Sequence, residues 1–371
     1  MKLTLVLLMT VAAVFGPARA ARACGGGVVS TPIATTIGAD AQRIVISVHG
    51  GVTEVVTQIG VPATSADYGV LIPVPGEPTL DATPVMSAEL DVLFSSTAPS
   101  IGTHADNGFS CGCPLASGSD SSKGGVEPPP DTQVSEPVAI GPVTAVTLTA
   151  STGDAINAWL ADNGFVIQPA DQSIVSAYAG TGRYFIAIRR NDTAVDAGAT
   201  SIGVHFTLAG DQRGLPLRFA RIGAAASVGF TVLVVADDVV GPAAPFATLT
   251  LNDLSRATIR GTGYAAAMSE AIALHDNHAF VIEGVRTADD FRYSRIESLR
   301  ALIPTGATLT RLSTLLPATA LDADVTLDQP WAGPAPSIIT VQRGRAPGDP
   351  KLAFAFAAVA LAAIARRRPR R

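Results

Sequence analysis

The sequence predicts an α+β protein with a β-rich N-terminal half of short strands and a mixed C-terminal half that contains helices and strands. Glycine and proline are abundant, at 35 and 26 of 371 residues, which favours many turns and short strands. Apolar residues alternate with polar or small ones in the first half, as in half-buried strands. Beyond residue 150 the chain stays rich in β-like runs and gains capped helical stretches. With 47% hydrophobic residues, it suits one large or two ordinary domains.

Residues 151–190 are the stretch around which the chain is organised. The sequence predicts a helix over 154–163, begun by a capping box of Ser151 and Asp154 and ended by Asn163-Gly164. Its apolar residues share one face because they lie at i, i+3 and i+4: Ile156, Trp159 and Leu160. An extended run at 165–167 and a strand are expected to follow. We expect Trp159 to anchor the core; the alternative is a binding platform.

The remaining elements follow from periodicity and turn signals. Three early strands at 44–48, 55–61 and 68–74 indicate a meander, and 87–94 is predicted to be a short helix. Later strands and helices are expected to pack on the Trp159 helix. The predicted strands are 144–150, 184–189, 202–208, 230–235, 280–285, 309–316 and 325–327. The predicted helices are 265–274 and 287–303, the second capped by Thr287 with Asp290.

Composition divides the chain into six parts. They are a signal peptide (1–23), a β-rich N-terminal part (24–114), a flexible Pro/Gly/Ser-rich loop (115–142), a mixed α+β part (143–340), a linker (341–350) and a hydrophobic tail helix with an arginine cluster (351–371).

The net charge of −5 conceals an uneven distribution. Residues 1–23 and 351–371 hold nine of the 26 Lys and Arg residues and no acid. The region between them therefore carries 17 basic against 31 acidic residues, a balance of −14. Binding to a phosphate backbone relies on Lys and Arg. The acidic body therefore argues against a nucleic-acid partner.

Residues 1–23 are typical of a secretory signal. Lys2 supplies a positive start, residues 3–15 are apolar, and Pro17 breaks this run before small residues. Two Ala-x-Ala cleavage sites compete, at 18–20 and 21–23. Cleavage at the second leaves Cys24 as the first mature residue, which keeps lipidation of Cys24 open as an alternative.

The C-terminal tail is an unbroken apolar run at 352–365, followed by five arginines within 366–371. This run has fourteen residues, whereas a helix needs about 20 to cross a bilayer comfortably. We expect it to insert with local thinning of the bilayer while the arginines stay cytoplasmic. The tail resembles bacterial C-terminal sorting signals of the PEP-CTERM and MYXO-CTERM kind. Residues 344–350 depart from the Pro-Glu-Pro or Cys motif of those signals. A simple membrane tail is the other interpretation, and the membrane is the expected partner in both.

Three cysteines cannot all pair with each other. In an exported chain disulfides are permitted, and Cys111 and Cys113 are too close to bridge without strain. We therefore expect a disulfide from Cys24 to Cys111 or Cys113, with one thiol left over. The alternative is a metal site of three thiolates, for which no histidine lies near in sequence.

Two histidines, His275 and His278, lie at i, i+3 near a predicted helix end. They are candidate metal ligands, for which no known motif supplies a third. The other interpretation is ordinary surface or capping histidines. Neither a metal nor another cofactor is expected to be required.

A Gly-x-Gly-x-x-Ala sequence at 261–266 precedes a predicted helix, and Glu283 lies twenty residues beyond Gly263. This arrangement is similar to a dinucleotide-binding fingerprint. The preceding strand, at 257–259, is short and polar, and an exported protein has little access to dinucleotides. We therefore favour coincidence. The acid pairs Asp237-Asp238 and Asp289-Asp290 are interpreted as turn and helix-cap residues.

Several short sequence motifs together resemble those of the bacterial domain-of-unknown-function family DUF2330. They are Ala23-Cys24-Gly25-Gly26, Leu71-Ile72-Pro73-Val74-Pro75, Trp159-Leu160 with Asn163-Gly164, Tyr178 with Tyr184-Phe185-Ile186-Ala187, and Leu309-Thr310-Arg311-Leu312. The resemblance covers roughly residues 24–327 and departs in the long loop at 115–142. It implies an exported bacterial protein and carries no activity with it.

The sequence contains no complete catalytic constellation. The favoured hypothesis is an exported, membrane-tethered envelope protein that acts by binding or as a structural component. The alternative is a metal-dependent periplasmic enzyme that uses His275 and His278.

Overall fold

The computed structural model describes residues 26–29, 42–60, 68–99, 101–103, 131–165, 167–190, 201–224, 226–292, 294–333 and 339–341. The strands among them are β1 (Gly26–Val29), β2 (Gln42–His49), β3 (Val52–Gly60), β4 (Tyr68–Val74), β5 (Thr79–Leu80), β6 (Val85–Met86), β7 (Ile101–Thr103), β8 (Thr132–Val134), β9 (Val138–Ile140), β10 (Val143–Ala150), β11 (Tyr184–Arg190), β12 (Ser201–Ala209), β13 (Gly214–Leu215), β14 (Ser227–Ala236), β15 (Val240–Gly241), β16 (Ala247–Thr250), β17 (Ala279–Thr287), β18 (Thr308–Pro317), β19 (Val325–Thr326), β20 (Gln329–Pro330) and β21 (Ile339–Val341).

The α-helices are α1 (Ser87–Ser96), α2 (Gly153–Asp162), α3 (Pro169–Ala179), α4 (Arg256–Gly261) and α5 (Tyr264–Ala273). Short 3-10 helices are Phe219–Arg221, Leu251–Asp253, Ala288–Phe291, Glu297–Leu302 and Ala318–Ala320. Strands outnumber helices, which confirms the predicted α+β class and its β-rich character.

Two sheets organise the described part of the chain. The larger has nine strands in the order β16-β17-β18-β14-β2-β3-β12-β5, with β6 also paired to β12. The smaller has six strands in the order β1-β4-β11-β10-β8, with β9 also paired to β10. Most neighbours are antiparallel, but β2 with β14 and β16 with β17 are parallel. The larger sheet therefore joins strands from both ends of the chain.

One face of each sheet packs against the other sheet. On β4, Val70, Ile72 and Val74 enter this shared core, and on β2 Ile44 and Ile46 meet them from the larger sheet. Alternate residues of a strand point to opposite faces, so the intervening residues face the outer layers. Because both faces are covered, these strands read as continuous apolar runs.

Helices cover the two outer faces. The smaller sheet sends Leu71 and Phe185 towards α2 and α3. The larger sheet sends Val45 and Leu233 towards α1 and the 3-10 helix Glu297–Leu302. Helices α4 and α5 pack on the inner face of the larger sheet, through Ile259, Met268 and Ile272 among others. Where the two sheets face each other, the layers are therefore helix, sheet, sheet and helix, while α4 and α5 lie on the same face of the larger sheet as the smaller sheet does.

The predicted Trp159 helix is confirmed as α2, with a different N-cap. Thr152, not Ser151, accepts a hydrogen bond from the Ala155 N–H. At the other end Gly164 has φ of 78°, and the Phe165 N–H reaches back to the Leu160 carbonyl at 2.7 Å. This 6→1 bond closes a Schellman motif, as the Asn163-Gly164 pair predicted.

The strand expected soon after the Trp159 helix is preceded by a second helix, α3, which the sequence did not predict. Of the run predicted at 165–167, residues 165 and 167 lie in no helix, and residue 166 lies outside the described residues. Phe165 turns inward to stack on Trp159, with ring centroids 6.3 Å apart. Pro169 then stands in the first turn of α3, where its missing N–H costs nothing. Val175, Tyr178 and Ala179 form the buried face of that helix.

The predicted N-terminal meander is wrong in its third strand. Strands β2 and β3 form an antiparallel hairpin, but β4 leaves for the smaller sheet and pairs with β11. The strands and helices after β11 also differ from expectation, because most of them belong to the larger sheet or pack on it and not on α2. Only Phe219 and Ile222 of the later chain join the Trp159 cluster among the described residues.

The helix predicted over 287–303 is two short 3-10 helices separated by a bend. The Thr287 and Asp290 capping box is present at the first. Ile296, only 1% exposed, turns into the core, and the Arg300 guanidinium donates to the carbonyls of Phe291, Arg292 and Ser294. These bonds satisfy carbonyls that a continuous helix would have used internally.

Part of the loop predicted at 115–142 is ordered, because β8 and β9 both pair with β10. The predicted signal peptide at 1–23, Cys24, Cys111, Cys113, the rest of that loop, and the tail at 351–371 lie outside the described residues. Within the described ranges, no helix is both long and apolar enough to cross a bilayer.

Substitution of Gly153 by alanine is expected to destabilise the protein. A Cβ there would lie 2.2 Å from the Ser176 Cα, so α2 and α3 must move apart, at a cost of about 1–3 kcal/mol. Gly261→Ala, also in a helix but with nothing within 4 Å, is the control and is expected to be neutral or stabilising. Urea unfolding of both variants checks this; equal effects would contradict the close crossing.

Candidate functional site

The structure places the two candidate metal-binding histidines in different surroundings. His275 is exposed in the turn after α5. The ring nitrogens of His278 lie 2.8 Å from the Asp276 carbonyl and 2.8 Å from an Asp322 carboxylate oxygen. Both partners only accept hydrogen bonds, so the arrangement favours the imidazolium form, in which both nitrogens donate.

His278 therefore has no ring nitrogen left for a metal in this geometry. Among the residues that the structure describes, no group of three His, Cys, Asp or Glu side chains is arranged to hold a metal ion. The cysteines of the alternative thiolate site lie outside those residues.

The His278 and Asp322 pair is expected to make stability depend on pH. Burial opposes protonation, but hydrogen bonds to Asp322 and the Asp276 carbonyl outweigh it and raise the pKa of His278. The His278 hydrogen bond in turn lowers the pKa of Asp322. A raised histidine pKa contributes stability that is fully present below its unfolded value of about 6.5 and is lost as pH rises through the folded value.

Asp322→Asn is therefore expected to destabilise more at about pH 5.5 than at about pH 9. Urea unfolding at both pH values measures the difference. The exposed Asp289, which pairs with Arg292, supplies the control, since Asp289→Asn involves no histidine. A pH-independent effect of Asp322→Asn would rule out the charged pair.

The Gly-x-Gly-x-x-Ala sequence does not follow a strand, because residues 256–261 form α4. This corrects the short strand predicted at 257–259. Gly263, with φ of 104°, precedes the first residue of α5, so the glycine allows a tight turn between two helices. The dinucleotide-binding fingerprint requires a strand before its glycines. The helix found there supports the interpretation that the match to the fingerprint is a coincidence.

Glu283 belongs to a buried ion-pair network. The register of β17 against β18 shifts between Ile282 and Gly284, which makes Glu283 the extra residue of a β-bulge and turns its side chain inward. Its carboxylate accepts from Arg311 Nε at 2.6 Å and from the Tyr264 hydroxyl at 2.6 Å. Burial, followed by the charge of Glu283, raises the pKa of Tyr264, so the phenol remains a donor.

A surface pocket of about 260 Å³ gathers polar side chains from four segments. Tyr178 lies near the end of α3, and Thr181 and Arg183 follow it in the turn before β11. Arg218 is the N-cap of the 3-10 helix Phe219–Arg221. Asp324 lies immediately before β19, which pairs with β13 and so comes beside Arg218.

Hydrogen bonds hold the acidic side of the pocket. One carboxylate oxygen of Asp324, Oδ1, accepts from the Tyr178 hydroxyl at 2.5 Å and from the Arg218 backbone N–H at 3.1 Å. Tyr178 is only 3% exposed, and burial, followed by the hydrogen bond to Asp324, raises its pKa. The Thr181 hydroxyl donates to the Tyr178 carbonyl at 2.8 Å. The carboxylate is therefore fixed in place, with its Oδ1 engaged.

Arg183 and Arg218 form the basic side of the pocket. Arg183 lies over the Tyr178 ring, with its Cζ 5.4 Å from the centroid. Within the described ranges, neither the Arg183 nor the Arg218 guanidinium has a hydrogen bond or ion pair. Two positive charges face one negative charge, so the lining carries an excess positive charge on an otherwise acidic body.

Sequence reasoning missed this pocket. The motifs of the family resemblance include Tyr178 and Tyr184 but give no role to Arg183, Arg218 or Asp324. A signal existed in Pro169 and in the helical spacing of Val175 and Tyr178, which place Tyr178 at a helix end. Nothing in the order of residues brings Asp324 to a position 146 residues earlier.

The described residues thus define a two-sheet α+β protein with an arginine-lined surface pocket. The chain belongs to the bacterial family described as "Uncharacterized protein conserved in bacteria (DUF2330)", whose model matches residues 17–248. That match includes Tyr178, Arg183 and Arg218 and ends before Asp324. No curated protein and no solved structure matches the chain.

Proposed function

We propose that this protein is exported and tethered to the membrane, and that it serves the bacterial envelope as a binding or structural protein rather than as an enzyme. The apolar run at 3–15 followed by small residues supports export. The apolar run at 352–365, with arginines after it, supports a C-terminal anchor whose charged end stays cytoplasmic.

The observation that carries the binding role is the pocket between α3 and β19. Among the described residues, the guanidinium groups of Arg183 and Arg218 make no hydrogen bond or ion pair, whereas other charged groups such as Arg311 and Glu283 are paired. A guanidinium whose N–H donors have no acceptor in the protein is suited to bind a planar or tetrahedral anionic group of a ligand.

Two reporter fusions test the topology. A reporter active only in the cytoplasm is expected to be active after Arg371, and one active only outside is expected to be active after Pro350. An externally active reporter after Arg371 would overturn the anchor orientation. Cell fractionation adds the second test, because deletion of residues 352–371 is expected to release the body from the membrane fraction.

A further inference from the structure

We propose that the pocket lined by Arg183, Arg218, Tyr178 and Asp324 binds an α-amino carboxylate, either a free amino acid or the C-terminal residue of a peptide. This proposal rests on the binding role proposed above and is independent of how the protein is anchored.

The charge of the pocket selects a ligand group with one negative charge. Arg183 and Arg218 supply two positive charges and Asp324 one negative charge, so the pocket offers a cationic side to a carboxylate and an anionic side to a neighbouring N–H donor. A carboxylate carries one negative charge at neutral pH, whereas a phosphate monoester carries about −1.5 to −2 and would face Asp324. Guanidinium groups bind carboxylates through paired N–H donors.

The acid in the pocket selects a donor beside that carboxylate. Both hydrogen bonds to Asp324 end on Oδ1, and Oδ2 accepts none within the part of the chain that the structure describes. An ammonium or amide N–H one carbon away from a ligand carboxylate supplies such a donor. The same group therefore satisfies the arginines and Asp324 together.

The size of the pocket favours a small group. Its volume of about 260 Å³ falls below the roughly 300–1,000 Å³ of pockets that hold drug-sized ligands. Pro75 and Ala177 supply apolar surface on its wall, against which a short side chain packs. An amino acid or the last residue of a peptide is of this scale.

The test is a ligand-observed NMR titration of the full-length chain, purified in detergent, with five probes: glycine, glycylglycine, acetate, glycinamide and inorganic phosphate. Glycine or glycylglycine is expected to bind several-fold more tightly than acetate, and glycinamide, which lacks the carboxylate, is expected not to bind. Comparison of glycine with glycylglycine distinguishes a free amino acid from a peptide end. Phosphate binding that is tighter than the binding of glycine and glycylglycine would overturn the proposal. The same holds if neither glycine nor glycylglycine binds.

Three variants and one control locate the site. Arg183→Gln and Arg218→Gln are each expected to weaken glycine binding by about 10-fold or more, because each removes charge-assisted hydrogen bonds. Asp324→Asn is expected to abolish the preference for glycine over acetate. Arg256→Gln removes an exposed arginine of α4 and is expected to change the affinity by less than about two-fold.

Equal affinities in the Arg183→Gln and Arg256→Gln proteins would place the binding elsewhere and overturn the assignment. Circular dichroism of each variant establishes that it is folded. Recovery of glycylglycine unchanged after incubation supports binding without catalysis, and its cleavage would overturn the non-catalytic role while leaving the site assignment intact. A cytoplasmic body in the reporter fusions would overturn the proposed location without affecting the titration.

Discussion

Replacement of Arg311 by methionine is expected to lower the free energy of unfolding by about 3–5 kcal/mol, because it leaves the buried Glu283 carboxylate without its cation. The Glu283 side chain is only 2% exposed and that of Arg311 12%. Arg311 also donates to the Phe94 carbonyl at 2.8 Å and to the Thr97 hydroxyl at 2.9 Å. Its loss therefore removes a hydrogen bond from three acceptors in a buried region.

Two further variants separate the charge effect from packing. The double variant Glu283→Gln, Arg311→Met is expected to be more stable than Arg311→Met alone, since no unpaired charge remains. Arg292→Met removes an ion pair whose side chains are 61% and 70% exposed, and is expected to cost less than about 0.5 kcal/mol. Urea unfolding followed by tryptophan fluorescence measures all three. A loss for Arg311→Met no larger than that for Arg292→Met would contradict the buried network.

The sequence predicts those parts of the fold whose signals are local. Strand β14 appears as a run of β-branched residues because both of its faces are buried: Val232 and Val234 face the smaller sheet, whereas Leu233 and Val235 face α1. The Asn163-Gly164 pair marks the end of α2 because a left-handed residue is required there. These features depend on neighbours in sequence, so one sequence suffices.

Features that depend on distant partners could not be predicted in this way. The sequence predicts both β3 and β4 as strands, but only their partners, which are distant in sequence, place them in different sheets. The bend between the two 3-10 helices within 287–303 depends on burial of Ile296 and on the three carbonyls that Arg300 bonds. Capping signals correctly placed its first turn but not its length.

The candidate site shows the same division. Glu283 was noted for its spacing from Gly263, but its role follows from a β-bulge and from Arg311 on the neighbouring strand. The sequence predicts His278 as a candidate metal ligand, whereas Asp322, 44 residues later, hydrogen-bonds to one of its ring nitrogens. That Arg183 and Arg218 lack a carboxylate partner among the described residues follows from the three-dimensional positions of distant acidic side chains, which one sequence does not give.

Replacement of Trp159 by alanine is expected to lower the free energy of unfolding by about 3–5 kcal/mol, because it removes a large buried ring and leaves a cavity. Trp159 is 5% exposed and stacks on Phe165 at an interplanar angle of 22°. Phe165 in turn covers Gly69 of β4, where a Cβ would lie 1.9 Å from the ring. The Trp159 indole thus holds α2 on the smaller sheet through the Phe165 ring, which packs directly against Gly69 of β4.

Trp331→Ala is the matched control, because Trp331 is half-buried and packs at the margin of the core between the sheets. Its loss is expected to cost less than half as much, since less apolar area returns to water. Urea unfolding followed by circular dichroism avoids reliance on the fluorescence of the residue removed. If Trp159→Ala left stability unchanged but weakened ligand binding, Trp159 would be a binding platform. Its burial and its stacking on Phe165 instead predict loss of stability, with the glycine affinity of the folded fraction preserved.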